Sequence, residues 1–158
     1  MNLRYKLAVG ILAGAAAIGL ARIGVAQAQT ATQDIIVTRQ AGFDLQQGSL
    51  DAIIAAMKAK APDMKPYAGT AGGIESWAKQ IPLAFPKGSE TGHNTKAKPE
   101  IWSDSAGFAK DANDLATAAA KLAASLKAGD EAALPDQVKA VGAACVACHR
   151  AYRVRSSG

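Results

Sequence analysis

Apolar residues recur at helical spacing in four stretches of the chain, separated by breaks rich in proline and glycine. The third stretch is the clearest. Phe108, Ala112, Leu115, Ala119, Leu122 and Leu126 follow an i, i+3, i+4, i+7 stripe, the mark of an amphipathic helix. Ser103 or Asp104 can cap its start, and Lys127-Ala128-Gly129-Asp130 closes it with a cation in the last turn and a glycine at the stop. The fourth stretch runs from Leu134 to Arg153, with Pro135 in its first turn and Val138, Val141, Cys145, Cys148 and Tyr152 on its inner face. The first covers Thr32 to Lys60, with Ile36, Phe43, Leu50, Ile54 and Met57 on the stripe; Gly42 and Gly48 interrupt it, and Ala61-Pro62-Asp63 ends it. The second covers Ala68 to Ile81, with Ile74, Trp77 and Ile81 aligned and Gly69, Gly72 and Gly73 weakening its start. Pro82 and Pro86 then bracket Leu83-Ala84-Phe85. The polar segment from Lys87 to Glu100, holding Gly88, Gly92, His93, Asn94 and Pro99, reads as an irregular, exposed loop. No alternating β-branched run appears, so the pattern predicts an all-α, antiparallel four-helix bundle.

The N-terminus has a different pattern. Arg4 and Lys6 precede an apolar run from Leu7 to Leu20, and Ala26-Gln27-Ala28 supplies an A-x-A cleavage site. This reads as a secretory signal peptide over residues 1–28, leaving residues 29–158 as one domain. A stable membrane anchor is the weaker reading, because Arg22 interrupts an Ala- and Gly-rich stretch. The leader also changes the charge. The whole chain carries 18 Lys+Arg against 13 Asp+Glu; without Arg4, Lys6 and Arg22 the balance is 15 against 13. A near-neutral domain gives no support to a polybasic nucleic-acid or membrane-surface role.

The candidate chemistry lies near the other end, in Cys145-Val146-Ala147-Cys148-His149. This is C-x-x-C-H, the attachment signature of a c-type haem, and it uses both cysteines of the chain. On a helix, positions i, i+3 and i+4 share a face, so two thiols can bond the haem covalently while the imidazole reaches its iron. A redox C-x-x-C wants a helix N-terminus to lower the thiol pKa, whereas this motif lies deep within a helical stretch. A disulfide across one helical turn would be strained and leaves His149 without a role. A zinc site needs two more ligands, and His93 is the only other histidine. Haem attachment takes place outside the bacterial cytoplasm, so motif and leader agree on the periplasm.

These residues, taken together, resemble one family, cytochrome c′, which carries its haem near the C-terminus of a four-helix bundle. The resemblance rests on Cys145-Val146-Ala147-Cys148-His149-Arg150-Ala151-Tyr152-Arg153, on Arg39-Gln40 in the first helix, and on Lys98-Pro99-Glu100-Ile101-Trp102 before the third. It implies one haem c attached through Cys145 and Cys148, with His149 as the proximal iron ligand. It further implies that Arg39 and Gln40 contact the haem edge, Arg39 beside a propionate, and that Arg153 sits near the proximal side. A guanidinium suits a carboxylate through paired, charge-assisted bonds. Thr95 or Lys96 is expected to reach a propionate from the loop. A homodimer through the first two helices is implied as well; Leu45 and Ile53, apolar residues off the main stripe, agree with it. One departure is Leu83 after Pro82, where many members have Trp.

The sixth coordination position decides the function. Low-spin relatives on this fold place a Met three residues after the Gln of the Arg-Gln pair; here that residue is Phe43, which cannot ligate iron. The expectation is five-coordinate iron beneath an apolar pocket, open to NO and CO and able to exchange electrons with redox partner proteins. The rival is a six-coordinate electron carrier using His93 or another ligand; Met57 lies fourteen residues along the same helix, about 21 Å away. A peroxidase would need a distal acid–base group near Phe43, and the sequence offers none.

Overall fold

The computed structural model describes residues 33–155; the expected signal peptide lies outside the described residues. Helix α1 spans residues 33–58, α2 Ala68–Gln80, α3 the single turn Glu100–Ser103, α4 Ser105–Ala128 and α5 Leu134–Tyr152. Three 3₁₀ turns, Lys65–Tyr67, Ile81–Ala84 and Glu131–Ala133, serve as connectors. The long helices α1, α2, α4 and α5 form the bundle, and α4 packs against both α2 and α5. The described residues contain no strand, only one isolated bridge. None of their helices is long and apolar enough to cross a membrane.

Each terminus has a local cause. Asp104 accepts from the Gly107 amide at 3.1 Å, capping α4. At the other end Gly129 takes a left-handed φ of 72°, and its N–H and that of Asp130 close onto Leu126 and Ser125, a Schellman ending. Helix α1 ends the same way at Lys60 (φ 51°), whose N–H bonds Met57 while that of Ala61 bonds Ala56. A lysine therefore fills the position usually given to glycine. Pro62 follows two residues later, so the helix cannot resume.

Two clusters make the core. One is aliphatic: Leu50, Ile53, Ile74, Leu122, Leu126, Leu134 and Val141 meet at one end of the bundle. The other is aromatic: Phe108 and Tyr152 are buried there, with Phe43, Trp77, Phe85 and Trp102 packed against them. Ile53 corrects the sequence reading. Expected off the main stripe of α1, it is fully buried, whereas Leu45 stays 67% exposed. The α1 stripe is broader than one residue per turn, so Ile36, Leu50, Ile53 and Ala56 all turn inward.

Candidate haem site

Between α1, α2, α4 and α5 lies a cavity of about 620 Å³. Cys145, Cys148 and His149 line it from α5, sharing one face as their spacing requires. Cys145 and Cys148 are not joined to each other. Burial pushes the Cys145 thiol up; burial, with Asp111 and Cys145 nearby, pushes Cys148 up to about 12. Two neutral, desolvated thiols are the opposite of a redox C-x-x-C, whose reactivity needs a depressed pKa. Desolvation against the cavity wall, and then the Arg153 guanidinium, hold the His149 imidazole below its ordinary value. A neutral imidazole is the form that ligates a metal.

The facing wall belongs to α1 and α2. The Phe43 ring stands 6.3 Å from that of His149, centroid to centroid, and edge-on to it. Trp77 meets Phe43 edge-on at 6.0 Å, and Phe85 tilts against it at 6.3 Å. Gly42 explains how α1 and α2 come so close: a Cβ there would overlap the Trp77 ring. Phe85 in turn packs on Phe108 at 5.0 Å, and its carbonyl accepts from Trp102 Nε1 at 3.0 Å. It thus provides an aromatic pocket wall beside Leu83, which is 73% exposed.

The third wall corrects the picture of an exposed loop. Ser89 and Arg39 are the buried polar residues among those described, and they bind each other. Arg39 Nη1 donates to Ser89 Oγ at 2.7 Å, and Nη2 to the Ser89 carbonyl at 2.7 Å and to Thr95 Oγ1 at 3.0 Å. The guanidinium lies 4.3 Å from the Phe85 ring centroid, a cation–π contact. Burial lowers the Arg39 pKa, and the Glu90 carboxylate opposes that shift. Gln40 Nε2 donates to the His93 carbonyl at 3.0 Å. From this anchor the chain runs on as a strap across the end of α5. Ala97 bridges Arg153, Lys98 N–H bonds the Tyr152 carbonyl at 3.0 Å, and Val154 N–H bonds that of Lys96 at 2.8 Å. Tyr152 secures the same helix end to α4, its hydroxyl donating to Asp104 Oδ2 at 2.7 Å.

All nine residues singled out from the sequence line this one cavity: Arg39, Gln40, Phe43, Thr95, Lys96, Cys145, Cys148, His149 and Arg153. His93 does not; it is exposed in the loop, at φ 44°, beside a separate surface hollow. Met57 and Met64 pack in the aliphatic cluster instead. Three contributors had escaped the sequence reading. Ser89 gives no signal in a polar loop, Gln46 none on the polar side of α1, and Trp77 reads simply as one more core residue of its stripe.

The cavity fits a haem. Its volume falls in the ordinary range for small-molecule sites, roughly 300–1,000 Å³. Two of its lining residues, Trp77 and Gln46, each bury a polar atom, Nε1 and Oε1, without a hydrogen-bond partner. Lys96 and Arg153, held together by the strap, supply cations suited to carboxylates.

A four-helix bundle with this motif on its last helix defines a class of haem proteins, and the comparisons name it. The family model described as Cytochrome C′ matches residues 34–153, so the chain belongs to the cytochrome c′ family. Cytochrome c′ of Rubrivivax gelatinosus is 37% identical over 121 residues, covering 76% of this chain and 94% of the relative. Cytochrome c-556 of Agrobacterium tumefaciens (strain II Chrys) is 38% identical over 109 residues, covering 68% and 87%. The crystal structure of cytochrome c′ from Thermochromatium tepidum superposes with a TM-score of 0.72 at 30% identity, covering 78% of this chain and 97% of that one. A nitric oxide complex of a cytochrome c prime variant from Alcaligenes xylosoxidans gives 0.71 at 31% identity, covering 79% and 97%. The cofactor is haem c, attached through Cys145 and Cys148.

Proposed function

We propose that residues 29–158 form a periplasmic haem domain with five-coordinate iron that binds NO and CO and exchanges electrons with redox partner proteins, and that it is not an enzyme. The single observation carrying this is Phe43, a residue without a ligating atom, standing 6.3 Å from the His149 ring across the cavity. No methionine or second histidine lines the cavity among the described residues. When bound, the haem would supply an iron that changes between ferric and ferrous and takes up a diatomic ligand. Cys145 and Cys148 tether it, and the His149 imidazole is the proximal ligand. Arg39 acts from α1: it holds Thr95, and through Thr95 the strap that presents Lys96 to the haem carboxylates and pairs with Arg153 at the end of α5. Gln40 steadies the same loop through His93. Phe43 limits the room on the distal side.

The relative solved with nitric oxide supports the gas-binding reading by its similarity. Association as a homodimer through α1 and α2 is part of the proposal. Val37 and Leu45 are exposed on α1, and one structural neighbour at 26% identity is described as having a ligand-controlled dimer dissociation. The rival, a six-coordinate electron carrier, requires a sixth ligand, and His93 is exposed in the loop and does not line the cavity. Optical spectra of the ferrous protein with and without CO test the proposal. A broad Soret band that sharpens on adding CO is the expected result; a low-spin spectrum indifferent to CO would sink it.

A further inference from the structure

A helix leaves its last four carbonyls without an intrahelical partner, and an end that lacks donors frays. In α5 those four belong to the turn from His149 to Tyr152, which carries the imidazole that lines the cavity. The turn has no left-handed glycine ending like the one that closes α4 at Gly129. Arg153, the residue after it, is extended at φ −122° and ψ 133°, and its N–H bonds the His149 carbonyl. The next amide, that of Val154, turns away to the Lys96 carbonyl. The carbonyls of Arg150, Ala151 and Tyr152 therefore need donors from another part of the chain.

One residue supplies all three. Lys98 Nζ donates to the Arg150 carbonyl at 3.3 Å and to the Ala151 carbonyl at 3.0 Å. Lys98 N–H donates to the Tyr152 carbonyl at 3.0 Å. An ammonium suits this place twice, as a multiple donor and as a positive charge at the negative end of the helix dipole. Pro99 favours the arrangement, because a residue before proline prefers the extended backbone that runs alongside Arg153. The Tyr152 hydroxyl pins its own side chain to Asp104, but it gives nothing to the carbonyls of Arg150 and Ala151. On the other side, the Cys148 tether secures the helix only as far as the residue before His149.

We propose that Lys98 is a positioning residue for the haem: by capping the last turn of α5 it holds the His149 imidazole at the iron. This rests on His149 being the iron ligand. The ring takes its direction from the backbone of a terminal turn, so the donors that keep that turn helical also keep the ring aimed.

The test uses the haem-loaded protein, reduced under CO and read by proton NMR. Low-spin ferrous haem is diamagnetic whether CO or a protein group fills the sixth position, so the spectrum is readable in both cases. In the wild type the haem ring current is expected to move the His149 ring protons far upfield. Lys98→Met removes both Nζ bonds and keeps the backbone bond. Its His149 ring signals are expected to broaden and move back toward ordinary positions. Amides 150–153 are expected to exchange about tenfold faster, the worth of one hydrogen bond to a charged group. Lys98→Arg restores the donors and is expected to recover both readouts. Faster exchange with unmoved His149 signals overturns the proposal and leaves Lys98 a helix cap only; so does a variant unchanged in both. The wild type alone gives a check that needs no variant to fold: amides 150–153 that exchange as freely as a frayed end overturn the proposal. Wild-type His149 ring protons without the upfield shift overturn the ligand assignment itself, a failure distinct from a shifted ring that ignores Lys98→Met.

Discussion

The two ends of the bundle solve the same packing problem with different materials. At one end Ile53, Leu122, Leu126 and Leu134 close the helices directly onto one another. At the other, the helices stand apart around a cavity, and aromatic rings, a buried arginine and a strap of loop hold the walls. The aliphatic end needs only burial, which is non-directional and tolerant of sequence. The cavity end has given up that burial to keep room for a cofactor, and it compensates with directional contacts whose donors and acceptors must match. Arg39 shows the cost of this choice. A fully buried guanidinium is tolerable only because Ser89 and Thr95 surround it with acceptors and Phe85 lies against its face.

That contrast can be broken by substitution. Leu122→Ala, in the aliphatic end, should cost the most, about 3–4 kcal/mol of unfolding free energy by denaturant titration, because the closed helices leave a cavity that cannot collapse. Arg39→Met should cost about 2–3 kcal/mol, since the Ser89 carbonyl loses its donor. Its second signature is faster amide exchange across residues 87–98; protection there equal to wild type would show that the strap holds without its anchor. Asp104→Ala removes both the cap of α4 and the acceptor for Tyr152, for about 1–2 kcal/mol. A smaller effect appears with pH. The bond to Asp104 raises the Tyr152 hydroxyl to about 12, above the usual value of about 10. Its contribution to stability is therefore complete below pH of about 10 and lost as pH rises through about 12. Asp104→Ala should flatten that decline, measured as denaturation midpoints across the alkaline range. The smallest change in stability, under about 1 kcal/mol, is expected for Phe43→Met, which puts a flexible apolar side chain in place of a half-buried ring at the edge of a void. Its optical effect is large in contrast: a thioether opposite His149 should convert the ferrous spectrum to low-spin and weaken CO uptake. An unchanged spectrum would mean that Phe43 does not face the sixth position.

Much of this molecule follows from the chain alone, for a physical reason. Helices α4 and α5 are local objects, set by spacing and caps, and Phe108 to Leu126 and Gly129 behave as their pattern requires. The C-x-x-C-H motif is equally local, because its chemistry needs three side chains within one turn. What only the tertiary structure decided involves partners far apart in sequence. Arg39 reads from the chain as a charge beside a cofactor, and becomes the anchor of a loop fifty residues away. Ser89 and His93 share a polar loop, yet one is wholly buried and the other exposed. Trp77 is an ordinary member of an apolar stripe until Gly42 lets it close against α1, where its Nε1 is buried without a hydrogen-bond partner. Periodicity carries which face of a helix turns inward; it carries nothing about which polar atom of an inward residue finds an acceptor, and that was settled by the packing of four helices around an open space.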